Sequence, residues 1–141
     1  MTREARSEPH TLTCVDPKDI GKVWPLVADM IDTGYASVDE ITPPDMREWL
    51  AAAKGLLWVS IQDEKIVAIL TTSLTPKRSG LACRMVCCGG AEMDLWKSCH
   101  AQIEDYARAE GCVKVISDGR PGWAKVLPGY RTTRLSLEKA L

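Results

Sequence analysis

Apolar residues along this chain switch between spacings of three to four and near-strict alternation, and the order of those switches predicts the architecture. Residues 1–10 carry no period and predict a solvated, flexible N-terminal arm. Alternation through Thr11-Leu12-Thr13-Cys14-Val15 predicts a first strand. A helix start follows: Asp16 is placed to cap an orphan N–H, Pro17 is tolerated at the first helical position, and Asp19 favours the positive end of the dipole. The helix it opens has an apolar stripe of Ile20, Val23, Trp24, Val27, Met30 and Ile31, with Pro25 expected to bend it. Residues 32–44 have no period and predict a loop, in which Asp39 and Glu40 form an acidic pair. A short helix over residues 44–54 presents Met46, Trp49 and Leu50, with Gly55 relieving its C-terminal end.

The pattern then turns to strands. Residues 56–61 and 66–74, joined by the polar stretch Gln62-Asp63-Glu64-Lys65, predict a hairpin. Residues 76–80 read as a further loop, and residues 81–88 as an apolar, Cys-rich strand ended by Gly89-Gly90. A long helix capped by Glu92 or Asp94 carries Leu95, Trp96, Cys99, Ile103 and Tyr106 on one stripe and ends at Gly111. A strand over residues 113–117, a short helix over residues 121–127 and an alternating strand over residues 130–137 complete the order.

Composition narrows the class without naming a chemistry. With 141 residues, one core over residues 11–141 buries enough surface without disulfide or metal staples. A formal net charge of -1 removes the basic footprint of a nucleic-acid binder, so no direct nucleic-acid contact is expected. No apolar run approaches the roughly 18 residues of a membrane span, and the polar start lacks a secretory leader. The expected setting is therefore a reducing cytoplasm without membrane contact.

The element order β-α-α-β-β-β-α-β-α-β resembles the GNAT superfamily of N-acetyltransferases. Its most specific parts are Gly111-Cys112 leading into residues 113–117, then Trp123-Ala124, then Gly129-Tyr130. The fold class this implies is a mixed α/β domain, with a central, mostly antiparallel sheet flanked by helices. The segment Gly119-Arg120-Pro121-Gly122-Trp123 is also similar to small GNAT-like proteins encoded by tailed bacteriophages.

What the resemblance implies for a site is specific. The strand before the long helix splays from the next strand, and acetyl-CoA lies in the gap. Here Val86, Cys87 and Cys88 would line it, while Gly89, Gly90 and Ala91 would lead to the helix N-terminus that cradles the diphosphate. The family pattern Gln/Arg-x-x-Gly-x-Gly/Ala is replaced by Gly89-Gly90-Ala91-Glu92-Met93-Asp94. Glu92 and Asp94 would claim the helix donors and repel a diphosphate. At about 5 Å and an effective dielectric near 20, each repulsion is on the order of 3 kcal/mol before screening. The Tyr expected to protonate the departing CoA thiolate is also missing, since Lys125, Val126 and Leu127 follow Ala124.

Other residues draw a plainer reading. Cys83, Cys87, Cys88, Cys99 and His100 include the ligand types of zinc, but no Cys-x-x-Cys spacing occurs and packing is the preferred role. Disulfides remain open if the chain resides in a virus particle. Cys88 as a helix-activated nucleophile is opposed by the same carboxylates. Arg120 as an anion ligand and Trp123 as a cleft wall are likewise second to ordinary surface and anchoring roles.

The resulting expectation is a GNAT-like protein with a degraded acyl-CoA site, serving as a binding or structural protein, with a phage particle as one setting. No catalytic residue, metal or resident cofactor is assigned, and the expected partner is a protein or a second copy. The alternative is an acetyl-CoA-dependent N-acetyltransferase acting on a primary amine; a third reading is a regulatory module that binds an acyl ligand without turnover.

Overall fold

The computed structural model describes residues 12–34, 43–89, 93–117, 129–131, 133 and 139–140. The expected arm over residues 1–10, the acidic pair Asp39-Glu40, the segment Gly90 to Glu92, the short helix over residues 121–127 and most of the last strand lie outside these residues.

Strand β1 (Leu12–Val15) leads through a 3-10 turn (Pro17–Asp19) into α1 (Ile20–Gly34) and α2 (Pro43–Ala51). Strands β2 (Leu56–Gln62), β3 (Lys65–Lys77) and β4 (Gly80–Gly89) follow, then α3 (Met93–Ala109) and β5 (Lys114–Ser117). The five described strands form one mixed sheet in the order β1-β2-β3-β4-β5, antiparallel except for the parallel β4–β5 pair.

The uninterrupted apolar stretches of β2 and β3 are explained by burial on both faces. Leu57, Val59 and Ile69 pack with Ile20, Val27 and Ile31 of α1 and Met46 and Leu50 of α2. Trp58, Ala68, Leu70, Cys83 and Met85 pack on the other face against Cys99, Ile103 and Ala107 of α3. The helical stripes read from residue spacing thus meet opposite faces of the sheet. Trp58 also spends its indole N–H, which donates to Thr72 Oγ1 at 3.0 Å, so the largest buried ring leaves no orphan donor.

Several boundaries differ from expectation for local reasons. Asp16 caps as expected, accepting from Lys18 N at 3.0 Å, but the first turn is 3-10 and the α-helix begins at Ile20. Helix α1 holds Pro25 and runs on to Gly34, into the stretch expected to be loop. The expected loop over residues 76–80 is a hairpin, because β3 continues to Lys77 and β4 opens at Gly80. Pro76 is tolerated because β2 reaches only Thr72 of β3, so among the described residues no strand lies on the other side of residues 73–77 to receive an N–H.

The end of α2 corrects the role given to Gly55. The left-handed residue is Ala53, at φ 59°, with Ala53 N donating to Leu50 O and Lys54 N to Trp49 O, the bonding of a Schellman stop. Gly55 is needed for room: a Cβ there would sit 1.9 Å from Trp49 Cη2 and 2.1 Å from Cζ3.

Candidate functional site

The described pairing of β4 with β5 covers only the first part of β4. The parallel ladder pairs Ala82 with Lys114 and is described as far as Met85 opposite Ser117. Strand β4 continues to Gly89, still paired to β3 through Thr71–Cys87, Leu70–Cys88 and Ile69–Gly89. From Val86 to Gly89, β4 therefore keeps a neighbour on one side, while among the described residues no strand pairs with its other side.

The register of β4 against β3 breaks at this point. Thr71 faces Cys87 whereas Thr72 faces Met85, so Val86 is an additional residue, a β-bulge. A bulge bends its strand and re-aims main-chain groups on the stretch of β4 beyond Met85. Residue spacing does not reveal it, because residues 81–88 are apolar almost throughout and carry no alternation for a bulge to interrupt. The predicted residues Val86, Cys87, Cys88 and Gly89 are brought together on this open stretch, and Gly90 and Ala91 lie outside the described residues.

The two halves of an acyl-CoA site fit this framework unequally. The open backbone of β4 suits an extended ligand lying alongside it as a pseudo-strand. The start of α3 suits a diphosphate poorly: Asp94 occupies its first turn and Glu92 immediately precedes it, where a diphosphate needs unclaimed N–H groups.

Cys83 and Cys99 are packing groups rather than nucleophiles. Cys83 and Cys99 are fully buried, and burial pushes each thiol up to about 11, with Cys112 adding to the effect on Cys83. Cys14 and Cys112 are also raised, by burial first and then by Asp16 and Glu110 respectively. All four are free thiols and stay protonated at neutral pH. No group of three or more metal-ligating side chains occurs among the described residues, Cys83, Cys99 and His100 included.

On the α3 face, His100 is 2% exposed and meets Tyr130 edge to face at 5.9 Å between ring centroids. Burial, and then the neighbouring Glu104 carboxylate, raise the Tyr130 hydroxyl above its ordinary range, so it holds its proton and supplies no anion. Elsewhere a shallow depression is lined by Trp24, Arg47, Glu48 and Ala51, with the Arg47 guanidinium 6.0 Å from the Trp24 ring centre. None of its lining residues belongs to β4 or β5, so it is separate from the open stretch of β4.

Helices of the described residues are all too short or too polar to cross a membrane. No protein-family model matches this sequence, and no curated protein sequence does. Solved structures do match. An aminoglycoside acetyltransferase from an uncultured soil metagenomic sample, in complex with trehalose, is similar at 11% identity and TM-score 0.70, over 94% of this chain and 96% of that one. A GNAT family acetyltransferase from Staphylococcus aureus is similar at 12% identity and TM-score 0.67, over 95% and 100%. A predicted acetyltransferase from Clostridium acetobutylicum, solved with acetyl-CoA, is similar at 13% identity and TM-score 0.65, over 93% and 96%. At such identities the likeness establishes the fold: this chain has the mixed α/β GNAT fold.

Proposed function

We propose that this chain is a GNAT-fold protein whose acyl-CoA site is degraded, and that it works as a non-catalytic binding or structural protein. The observation carrying this reading is the acidic entry to α3. Glu92 and Asp94 stand where the diphosphate of CoA needs open amide donors, and two repulsions on the order of 3 kcal/mol each remove about four decades of affinity before screening. The missing acid among Lys125, Val126 and Leu127 supports the same reading. The similarity of residues 119–123 to phage-encoded proteins supports a tailed-phage particle as its setting. Its partner is then a protein surface or a second copy of the chain.

A second reading is favoured by one specific observation, the bulge at Val86 on β4. In that reading the chain is an acetyl-CoA-dependent N-acetyltransferase for a primary amine. Residues Val86, Cys87, Cys88 and Gly89 would hold the extended arm of the cofactor with Gly90 and Ala91 below the diphosphate, and the bulged main chain would polarise the thioester carbonyl. The cofactor when bound supplies the activated acetyl group.

Thermal unfolding with added acetyl-CoA separates the two. A site filled at 100 times its dissociation constant raises stability by about 2.7 kcal/mol. The degraded-site reading predicts a flat response at millimolar acetyl-CoA and free CoA, and recovery of the protein in stoichiometric amount from a purified assembly. A clear upward shift in melting temperature would overturn it and establish ligand binding instead.

A further inference from the structure

Among the described residues, the outer edge of β1 is met by a side chain and not by a strand. Gln102, on α3, accepts a hydrogen bond from Leu12 N at 2.7 Å through Oε1 and donates to Leu12 O at 2.6 Å through Nε2. Both main-chain groups of Leu12 therefore point away from β2, as they must at a non-hydrogen-bonded position opposite Ser60. By the two-residue repeat of a strand, Cys14 presents its N–H and C=O to the same edge. Cys14 and Thr13 are both solvent-exposed.

Exposed edges ordinarily carry a lysine, a proline or a bulge to prevent pairing with another chain. Leu12-Thr13-Cys14-Val15 has no charge and no proline, and its register against β2 is continuous. The protection comes instead from a residue 90 positions away in sequence.

We infer that Gln102 is an edge guard: its carboxamide occupies the place of a strand from a second copy of this chain, and without it β1 pairs antiparallel with β1 of that copy. The occupant follows from the edge itself. Leu12 of one copy opposite Cys14 of the other, and the reverse, is a two-fold arrangement that satisfies the outward N–H and C=O of both residues in both copies. No like charges oppose one another across that axis. In this register the two Cys14 residues are diagonal neighbours, about 7–8 Å apart. The inference is independent of whether an acyl ligand binds.

Light scattering on size-exclusion fractions, together with a short bis-maleimide cross-linker, tests it on the full chain. Gln102→Leu keeps side-chain volume and removes both hydrogen bonds; Gln102→Ala removes the side chain. Each is expected to raise the cross-linked dimer at least tenfold over wild type, with the cross-link lost when Cys14→Ser is added. Folded variants no more dimeric than wild type, a cross-link that persists in Cys14→Ser, or a wild type already joined through Cys14 would overturn the inference. Amide exchange of the unaltered protein tests it even if both variants fail to fold. Protection of Leu12 N–H with free exchange at Cys14 N–H supports the guard, and equal exchange at both contradicts it.

Discussion

Replacing Gly55 by alanine is expected to destabilise the protein even though the backbone there is compatible with alanine. Gly55 does not have positive φ, so the substitution by itself would stabilise by about 0.4–1 kcal/mol through a less flexible unfolded chain. The opposing term is steric: the new methyl would lie 1.9, 2.1 and 2.6 Å from Trp49 Cη2, Cζ3 and Cζ2. An indole moves as a rigid plane, and this one packs against the core formed by α1, α2 and the sheet. Forcing an additional carbon into such a site costs about 1–3 kcal/mol. The balance is a loss of roughly 1–2 kcal/mol, or a drop in melting temperature of about 3–8 °C at this chain length. Thermal unfolding should be followed by circular dichroism, with Trp49→Ala completing a double-mutant cycle. In the Trp49→Ala background, Gly55→Ala should be neutral or stabilising. A Gly55→Ala protein as stable as wild type with Trp49 present, or an equal loss in both backgrounds, would refute the reasoning.

Three further outcomes follow from the same geometry. Ala53→Gly should stabilise by up to about 1 kcal/mol in urea unfolding, because alanine pays about 1–2 kcal/mol for the left-handed conformation and glycine gives part of that back in unfolded-chain entropy. Thr72→Val should cost about 1–3 kcal/mol by orphaning the buried Trp58 indole N–H, whereas Thr72→Ser should retain most of the stability, both read from thermal melts. Stability should also fall above pH 9: Cys83 and Cys99 bind their protons up to about 11 in the folded state against 9.0 ordinarily, so the native state holds more protons through that window. Melting temperatures from pH 8 to 11 should decline, and the decline should be shallower in Cys99→Ala.

Much of this fold is legible in residue order, because the pieces that carry it are local. Val27, Ile31, Met46, Leu50, Cys99 and Ile103 are set by helical spacing and are all buried. The turn at Asp63 and Glu64 is bounded by apolar runs, and both residues adopt positive φ, as a two-residue hairpin turn requires. What spacing does not encode is geometry made by distant partners. Gly55 looks like a helix stop until Trp49 is seen lying over it, while the stop itself falls on Ala53, a residue type with no special preference for left-handed backbone. Pro76 looks like a strand breaker until β2 is seen to end short of it. The site divides in the same way. Val86 to Gly89 are recognisable as the candidate strand, yet the one-residue bulge that bends it against β3 is made by a partner strand and has no signature in residue spacing. The Gln102 clamp on Leu12 has no local signature at all, since any polar residue on the flank of α3 fits the helical pattern equally well.

Isothermal titration of acetyl-CoA and of free CoA tests the central claim most directly, with wild type and the Glu92→Gln/Asp94→Asn variant run side by side. Carboxylates at the entrance to α3 predict no saturable heat for wild type up to millimolar ligand, and at least a hundredfold gain in affinity for the variant once about 3 kcal/mol or more of repulsion is removed. Saturable micromolar binding by wild type, little changed in the variant, would contradict the account and make this a working acyl-CoA site.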